Sequence, residues 1–387
     1  VTRQAGAWTL PASPAARRAG LLDAFKGLGC LLIVVHHLAF YGPMADVVAK
    51  AWPALIDGLA DHGRLAVQVF LVCGGYLTAN SLARLGPLAA PRCLDLTIRR
   101  YWRLAIPLLA ALSLTVLVTE WLRPWFHHDS LSPPPEIGQS LAHVFFLQHL
   151  WGMEGLSAGV WYAAVDLQLY VSALLLAWLA PHAQTKWPRF SAQTWQCMAW
   201  FALVAASVGW WNRQTELEDL NLYFFGAYGL GWLAYALRKA HRPWRGSLAL
   251  VLMCGVAWWL APRWQVATAC SVAVCLIHAP GAWLDTQVEA VGPLRRAMGW
   301  LSCVSYSVFV VHFSVSLVVN ATVTRWWPAD GLANAWGMLA ALALSVMAGA
   351  VLYAQVEKPA PTGKRWLVWA WVFMASSMLA MALNGLL

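Results

Sequence analysis

Eleven apolar stretches, each long enough to cross a lipid bilayer or nearly so, recur along the chain at about 21–41, 64–84, 104–122, 158–180, 195–211, 221–237, 246–261, 264–281, 299–319, 333–354 and 366–387. In lipid a backbone polar group must find its partner within its own segment, so this pattern dictates membrane-spanning helices. Composition agrees, with 60% hydrophobic and only 11% charged residues and a mean hydropathy of +0.57. Soluble domains carry about 25% charged residues. The fold expected is all-α, a polytopic transmembrane helical bundle of about 11 spans. The spans between 221 and 281 are short and closely linked, so sequence defines their ends least.

The formal charge of +9 suggests nucleic acid at first sight, but the basic residues sit in alternate loops. With the N-terminus in the cytoplasm, the inside segments hold 19 of the 26 Lys and Arg and the outside segments 6, Lys26 lying within the first span. This is the positive-inside distribution, and topology explains the charge better than nucleic acid, which is not expected as a partner. Residues 1–20 read as a cytoplasmic tail, 21–359 as the membrane domain, and 360–387 as a linker and an extra C-terminal transmembrane helix. The eight Cys lie in or beside apolar segments without a C-x-x-C pair, which argues against a disulfide framework or a zinc site.

The first span, LLDAFKGLGCLLIVVHH, carries ionisable residues that lipid penalises. Insertion costs about 2.5–3.5 kcal/mol for each Asp or Lys at a helix centre, which makes function the default reading. At 100° per residue Lys26 and His37 share a face, Asp23 lies near it, and His36 points away. Further along, Gly74 and Gly75 in VQVFLVCGGYL permit close helix contact or a local break, packing being the favoured reading. RRYWRLAIP sets Arg99, Arg100 and Arg103 at the cytoplasmic face, suited to anionic lipid or to a polyphosphate.

The segment from Leu122 to Ser157, with three consecutive prolines and the pair His127–His128, reads as a long outer loop, a lid or an acceptor surface. A metal site at that pair has no supporting carboxylate pattern, and none is expected. WYAAVDLQLY buries Asp166 with Tyr170 on the same face, LSCVSYSVFVVH puts His312 in the outer half of the ninth span, and YAQVEKP ends the tenth at Glu357. Counting from the span ends places His37, Asp166 and His312 at similar depth, with the arginines on the opposite side.

Taken in order, these motifs resemble the acyltransferase-3 family of membrane O-acyltransferases, which acylate glycans. The family's L-D-x-x-R-G and V-x-x-H resemble LDAFKG and IVVHH, its arginine-to-histidine spacing falling on Lys26 and His37. F-F-V-L-S-G-F-L resembles VFLVCGGYL, and Arg-x-x-Arg falls on Arg100 and Arg103. W-S-L-x-x-E-x-x-x-Y is similar to Trp161, Asp166 and Tyr170, S-Y-S-x-Y-L-x-H to Ser305, Tyr306, Ser307 and His312, and Y-x-x-x-E-x-P to Tyr353, Glu357 and Pro359. Lys26 stands where the family has Arg, Asp166 where it has Glu, and Cys73 where it has Ser.

The resemblance implies transfer of an acyl group, acetyl by expectation, from acyl-CoA to a hydroxyl of a glycan or lipid-linked sugar in a bacterial inner membrane. Acyl-CoA is then a donor substrate, and no permanently bound cofactor is expected. His37 would serve as base or acyl carrier, Asp166 would orient it, Lys26 would steady the oxyanion or the donor's charge, and Arg99, Arg100 and Arg103 would hold phosphate. Asp23, Trp161, Tyr170, His312 and Glu357 would support them. The alternative is a proton-coupled transporter or flippase using the same buried Asp, Lys and His groups. A haem or metal centre on His37 and His312 is a third reading. The acceptor's identity and the oligomeric state are not encoded in any motif.

Overall fold

Each of the eleven apolar stretches falls on a helix in the computed structural model, which describes residues 20–281 and 292–386. The tail expected at 1–20 therefore lies almost wholly outside the described residues. In chain order the helices are α1 (Leu21–Phe40), α2 (Pro43–Ala49), α3 (Pro53–His62), α4 (Ala66–Leu82), α5 (Ala90–Leu122), α6 (Ile137–Phe145), α7 (Val160–Lys186), α8 (Ala192–Gly209), α9 (Asn221–Arg238), α10 (Pro243–Leu260), α11 (Trp264–His278), α12 (Pro293–Trp326), α13 (Gly331–Leu352) and α14 (Gly363–Leu383). No strand occurs among the described residues.

Among the described residues seven helical segments are long and apolar enough to cross a membrane: α1, α3–α4 taken together, α5, α7, α12, α13 with its terminal π turn, and α14. The other four expected spans, α8 to α11, have 15–18 residues each. Helix α9 is buried over the whole run Tyr223–Tyr235, as expected of a segment hydrophobic on every side. Helices α10, α13 and α14 instead turn large apolar side chains outward, Trp259 being 81% and Trp371 71% exposed. Such a periphery suits hydrocarbon.

Two long helices organise the interior. Helix α12 packs against α1, α5 and α13, and α1 runs parallel to it. Contacts climb both helices in step: Asp23 with Ser302, Cys30 with Ser305, His37 with His312. The end of the bundle holding Leu21, Ala90 and Pro293 is called the lower end here, and the end holding Phe40, Leu122 and Trp326 the upper.

Helices α4 and α9 cross with their backbones almost touching. A Cβ built on Gly75 would lie 1.9 Å from the Tyr228 carbonyl oxygen, and one on Gly231 1.9 Å from that of Val72. Close packing is thus what Gly75 serves, whereas a Cβ on Gly74 meets nothing nearer than 3.5 Å. Gly75→Ala is expected to lower stability by about 1–3 kcal/mol through forced separation of the helices. Gly74→Ala should melt like the parent protein, and thermal unfolding of the two variants in detergent checks the contrast.

The segment after Leu122 departs from its expected role as an outer loop. Instead α6 descends beside α5 and α14. The Tyr101 hydroxyl donates to the Val144 carbonyl at 2.5 Å, Phe145 lies 6.3 Å from Trp366, and His143 lies 6.4 Å from Phe373. Tyr101 is 21 positions before Leu122 on one helix, so the chain has returned about 30 Å into the bundle. It turns at Phe146, in the left-handed region at φ 61°, and climbs only as far as Gly159 before α7 begins. A Cβ on Gly159 would touch the Phe309 ring, so α7 starts at mid-depth. Three consecutive prolines and a 35-residue gap between the expected spans (123–157) looked like an excursion into solvent because hydropathy does not report direction.

Candidate active site

His37 occupies the upper part of α1, on the stripe shared with Lys26. Its Nδ1 lies 2.7 Å from Nε2 of His312 on α12, and His312 Nδ1 lies 2.6 Å from the Phe309 carbonyl oxygen. The rings are 11° from parallel with centroids 4.8 Å apart. Parallel rings with so short an N···N approach must meet end to end, since stacking would keep their planes farther apart. His312 is fully buried, and His37 retains 8% exposure. His36 turns the other way, with Nδ1 3.2 Å from the Leu59 carbonyl of α3.

Below this pair lies a polar floor. Arg100 donates from Nε and Nη2 to Asp166 Oδ2, at 3.0 and 2.6 Å, and its guanidinium lies 5.4 Å from the Tyr170 ring centre. Asp166 and Tyr170, one turn apart on α7, thus grip one arginine between them. The Tyr306 hydroxyl donates to the Leu104 carbonyl at 2.8 Å. Glu357, in the π turn Tyr353–Glu357 that ends α13, accepts from Ser307 at 2.6 Å and feels the charges of Arg103 and Lys26. Neither Lys26 nor Arg103 forms an ion pair among the described residues. Asp23 caps the start of α1 through the Gly20 amide and accepts from Ser302 at 2.8 Å.

Helix α12 serves as a ruler for depth. At 1.5 Å per residue, Ser307 and the Glu357 carboxylate sit about 7.5 Å below His312, and Ser302 with Asp23 about 15 Å below. Tyr306 marks the level of Leu104, one turn above Arg100 on α5, which puts the Arg100–Asp166 pair about 15 Å below His312 as well. Lys26 is eleven residues, about 16 Å, below His37 on α1.

The structure brings His37 and His312 together and gathers Asp166, Arg100, Tyr170, Glu357, Arg103 and Lys26 in the lower half. Asp166 is not at the level of the histidines, contrary to the count from span ends, because α7 begins at mid-depth. Its partner is Arg100 and not His37. The arginine run also divides: Arg99 pairs with Asp95 at 2.8 Å, Arg100 is held by Asp166, and exposed Arg103 forms no ion pair among the described residues, its charge reaching Glu357. Trp161 stacks on Phe224, with centroids 5.5 Å apart and planes 23° from parallel. His128 approaches Ser130 and Asp46, and among the described residues no three His, Cys, Asp or Glu side chains converge on a common point. Sequence reasoning named Ser307 only within a motif and passed over Ser302 and Leu104, whose hydroxyl and carbonyl complete these contacts. A hydroxyl inside a membrane span was the available signal for the two serines.

This geometry sits within a recognisable lineage. The sequence model of the acyltransferase-3 family, an acyltransferase domain, matches residues 20–355. The chain belongs to that family. No curated protein and no solved structure matches it. In this membrane acyltransferase the matched region contains both the histidine pair and the Arg100–Asp166 floor, stops two residues short of Glu357, and leaves out α14. Asp166, the residue that the resemblance set against a Glu, anchors Arg100.

Proposed function

We propose that this acyltransferase takes an acyl group, acetyl in the first instance, from acyl-CoA at its lower end and delivers it to a hydroxyl of a glycan or lipid-linked sugar entering from the upper end. The lower end then faces the cytoplasm of a bacterium, the N-terminus lies inside, and eleven helices span the inner membrane. The excess of Lys and Arg in the alternate segments supports that orientation. The observation that carries the reading is a buried imidazole pair standing above Lys26 and Arg103, neither of them held in an ion pair among the described residues, in a chain of this family. Such an arrangement suits an anionic donor bound below and proton transfer above.

In the reaction His37 takes the proton of the attacking hydroxyl as its oxygen bonds to the thioester carbon. The carbon–sulfur bond then breaks, and the leaving thiolate takes that proton from the imidazolium. Lys26, some 16 Å below His37 along α1, is placed for the donor's charge and not for the thioester carbonyl. Arg103 offers its free guanidinium to phosphate. Arg100 positions Asp166 and Tyr170 in the floor.

Incubating the purified protein with radiolabelled acetyl-CoA and a glycan acceptor should move label to the acceptor with release of free CoA. Passage of substrate across proteoliposomes without covalent change would instead identify a transporter. Arg103→Ala is expected to raise the KM for acyl-CoA by about 10- to 100-fold with little change in kcat, as follows from losing a hydrogen bond to a charged group worth about 1.5–3 kcal/mol. Steady-state kinetics in detergent reads the split.

A further inference from the structure

We infer that His312 is a positioning residue that fixes the tautomer of His37 and so selects His37 Nε2 as the reactive nitrogen; this rests on the acid–base role proposed for His37. The chain of reasoning begins at a backbone carbonyl. The Phe309 oxygen can only accept, so His312 Nδ1, 2.6 Å away, carries the hydrogen. A neutral imidazole protonated at Nδ1 presents a bare lone pair at Nε2. That lone pair lies 2.7 Å from His37 Nδ1, which must therefore be the donor. With its hydrogen committed at Nδ1, neutral His37 keeps its own lone pair at Nε2, on the ring that retains exposure while His312 retains none.

Two consequences follow for catalysis. The nitrogen that receives the acceptor's proton is already bare before substrate arrives, so no tautomer exchange precedes reaction. When Nε2 is protonated, the imidazolium still donates from Nδ1 to His312, and the positive charge is stabilised by a fixed acceptor. An imidazole here fills the place that a carboxylate holds in hydrolytic triads. It does so without adding a second charge to the membrane interior, where a carboxylate would need its own partner.

His312→Phe keeps a flat ring and removes the acceptor, whereas His312→Gln keeps a carbonyl able to accept. His312→Phe is expected to lower kcat by about 10²- to 10⁴-fold, the range for a misplaced acid–base group, with KM for acyl-CoA nearly unchanged. His312→Gln should recover part of that loss. In a His37→Ala background His312→Phe should cost nothing more, because its effect passes through His37. Solid-state NMR of protein carrying ¹⁵N-histidine, with His37 assigned by its absence in His37→Ala, should show a protonated Nδ1 and a bare Nε2. This spectrum decides the matter even if His312→Phe fails to fold. A bare Nδ1 on His37, or an inactive His37→Ala beside an unimpaired His312→Phe, overturns the relay alone. An active His37→Ala overturns the acid–base reading beneath it.

Discussion

Replacing His37 with Ala is expected to abolish acyl transfer, by at least about 10³-fold in kcat, while the protein still extracts from membranes as a folded species. The argument is geometric. His37 is the less buried member of the pair, its Nδ1 is engaged by His312, and the change removes one side chain from α1 without touching the Asp23–Ser302 or Cys30–Ser305 contacts that hold α1 to α12. His36→Ala is the control: that ring leans on α3, and its loss should leave kcat within a few-fold of the parent while loosening the α1–α3 contact. Assays with labelled acetyl-CoA beside size-exclusion profiles separate lost chemistry from lost fold. If His37→Ala turns over normally, the site lies elsewhere.

The largest effect on stability is expected at Asp166. Its carboxylate, 6% exposed, receives two hydrogen bonds from Arg100, so Asp166→Ala strands a guanidinium in the bundle. Removing one partner of a fully buried pair costs about 3–5 kcal/mol, and because the Arg100 side chain is 31% exposed the loss here is expected below that range, about 2–3 kcal/mol. The double change Arg100→Ala with Asp166→Ala removes both charges and should be the milder of the two, an inversion that a simple loss of contacts does not produce. Thermal unfolding in one detergent across the wild type, both single variants and the double variant measures it. Equal melting of Asp166→Ala and the wild type would show that the pair does not hold α5 to α7. Had Asp166 instead oriented His37, its loss would fall on kcat and its pH profile and leave melting unchanged.

Much of this arrangement was legible in the sequence, for reasons that particular residues make plain. Hydropathy located every long described helix because lipid enforces one simple rule on each span, and the Lys26-to-His37 spacing picked out the histidine that meets α12 and not the one that meets α3. Depth was the quantity misread. Counting Asp166 from the start of its span presumed that α7 begins at the membrane face, and only the packing of Gly159 on Phe309 corrects this. The pairing of His37 with His312 joins residues 275 positions apart, and no local period encodes such a meeting. The arginine run was readable as cationic, yet its division among Asp95, Asp166 and open space depends on which helix stands opposite each turn.

The vertical offset between the histidine pair and the floor has a bearing on what can be a donor at all. A molecule gripped by its phosphates beside Arg103 and Lys26 presents its reactive carbon to His37 only if a slender linker joins the two ends across the intervening height. Compact acyl phosphates are too short for that task, and a thioester on a long pantetheine-like arm is not. On the proposed reading, the bundle would gauge its donor by length before any acyl group is recognised.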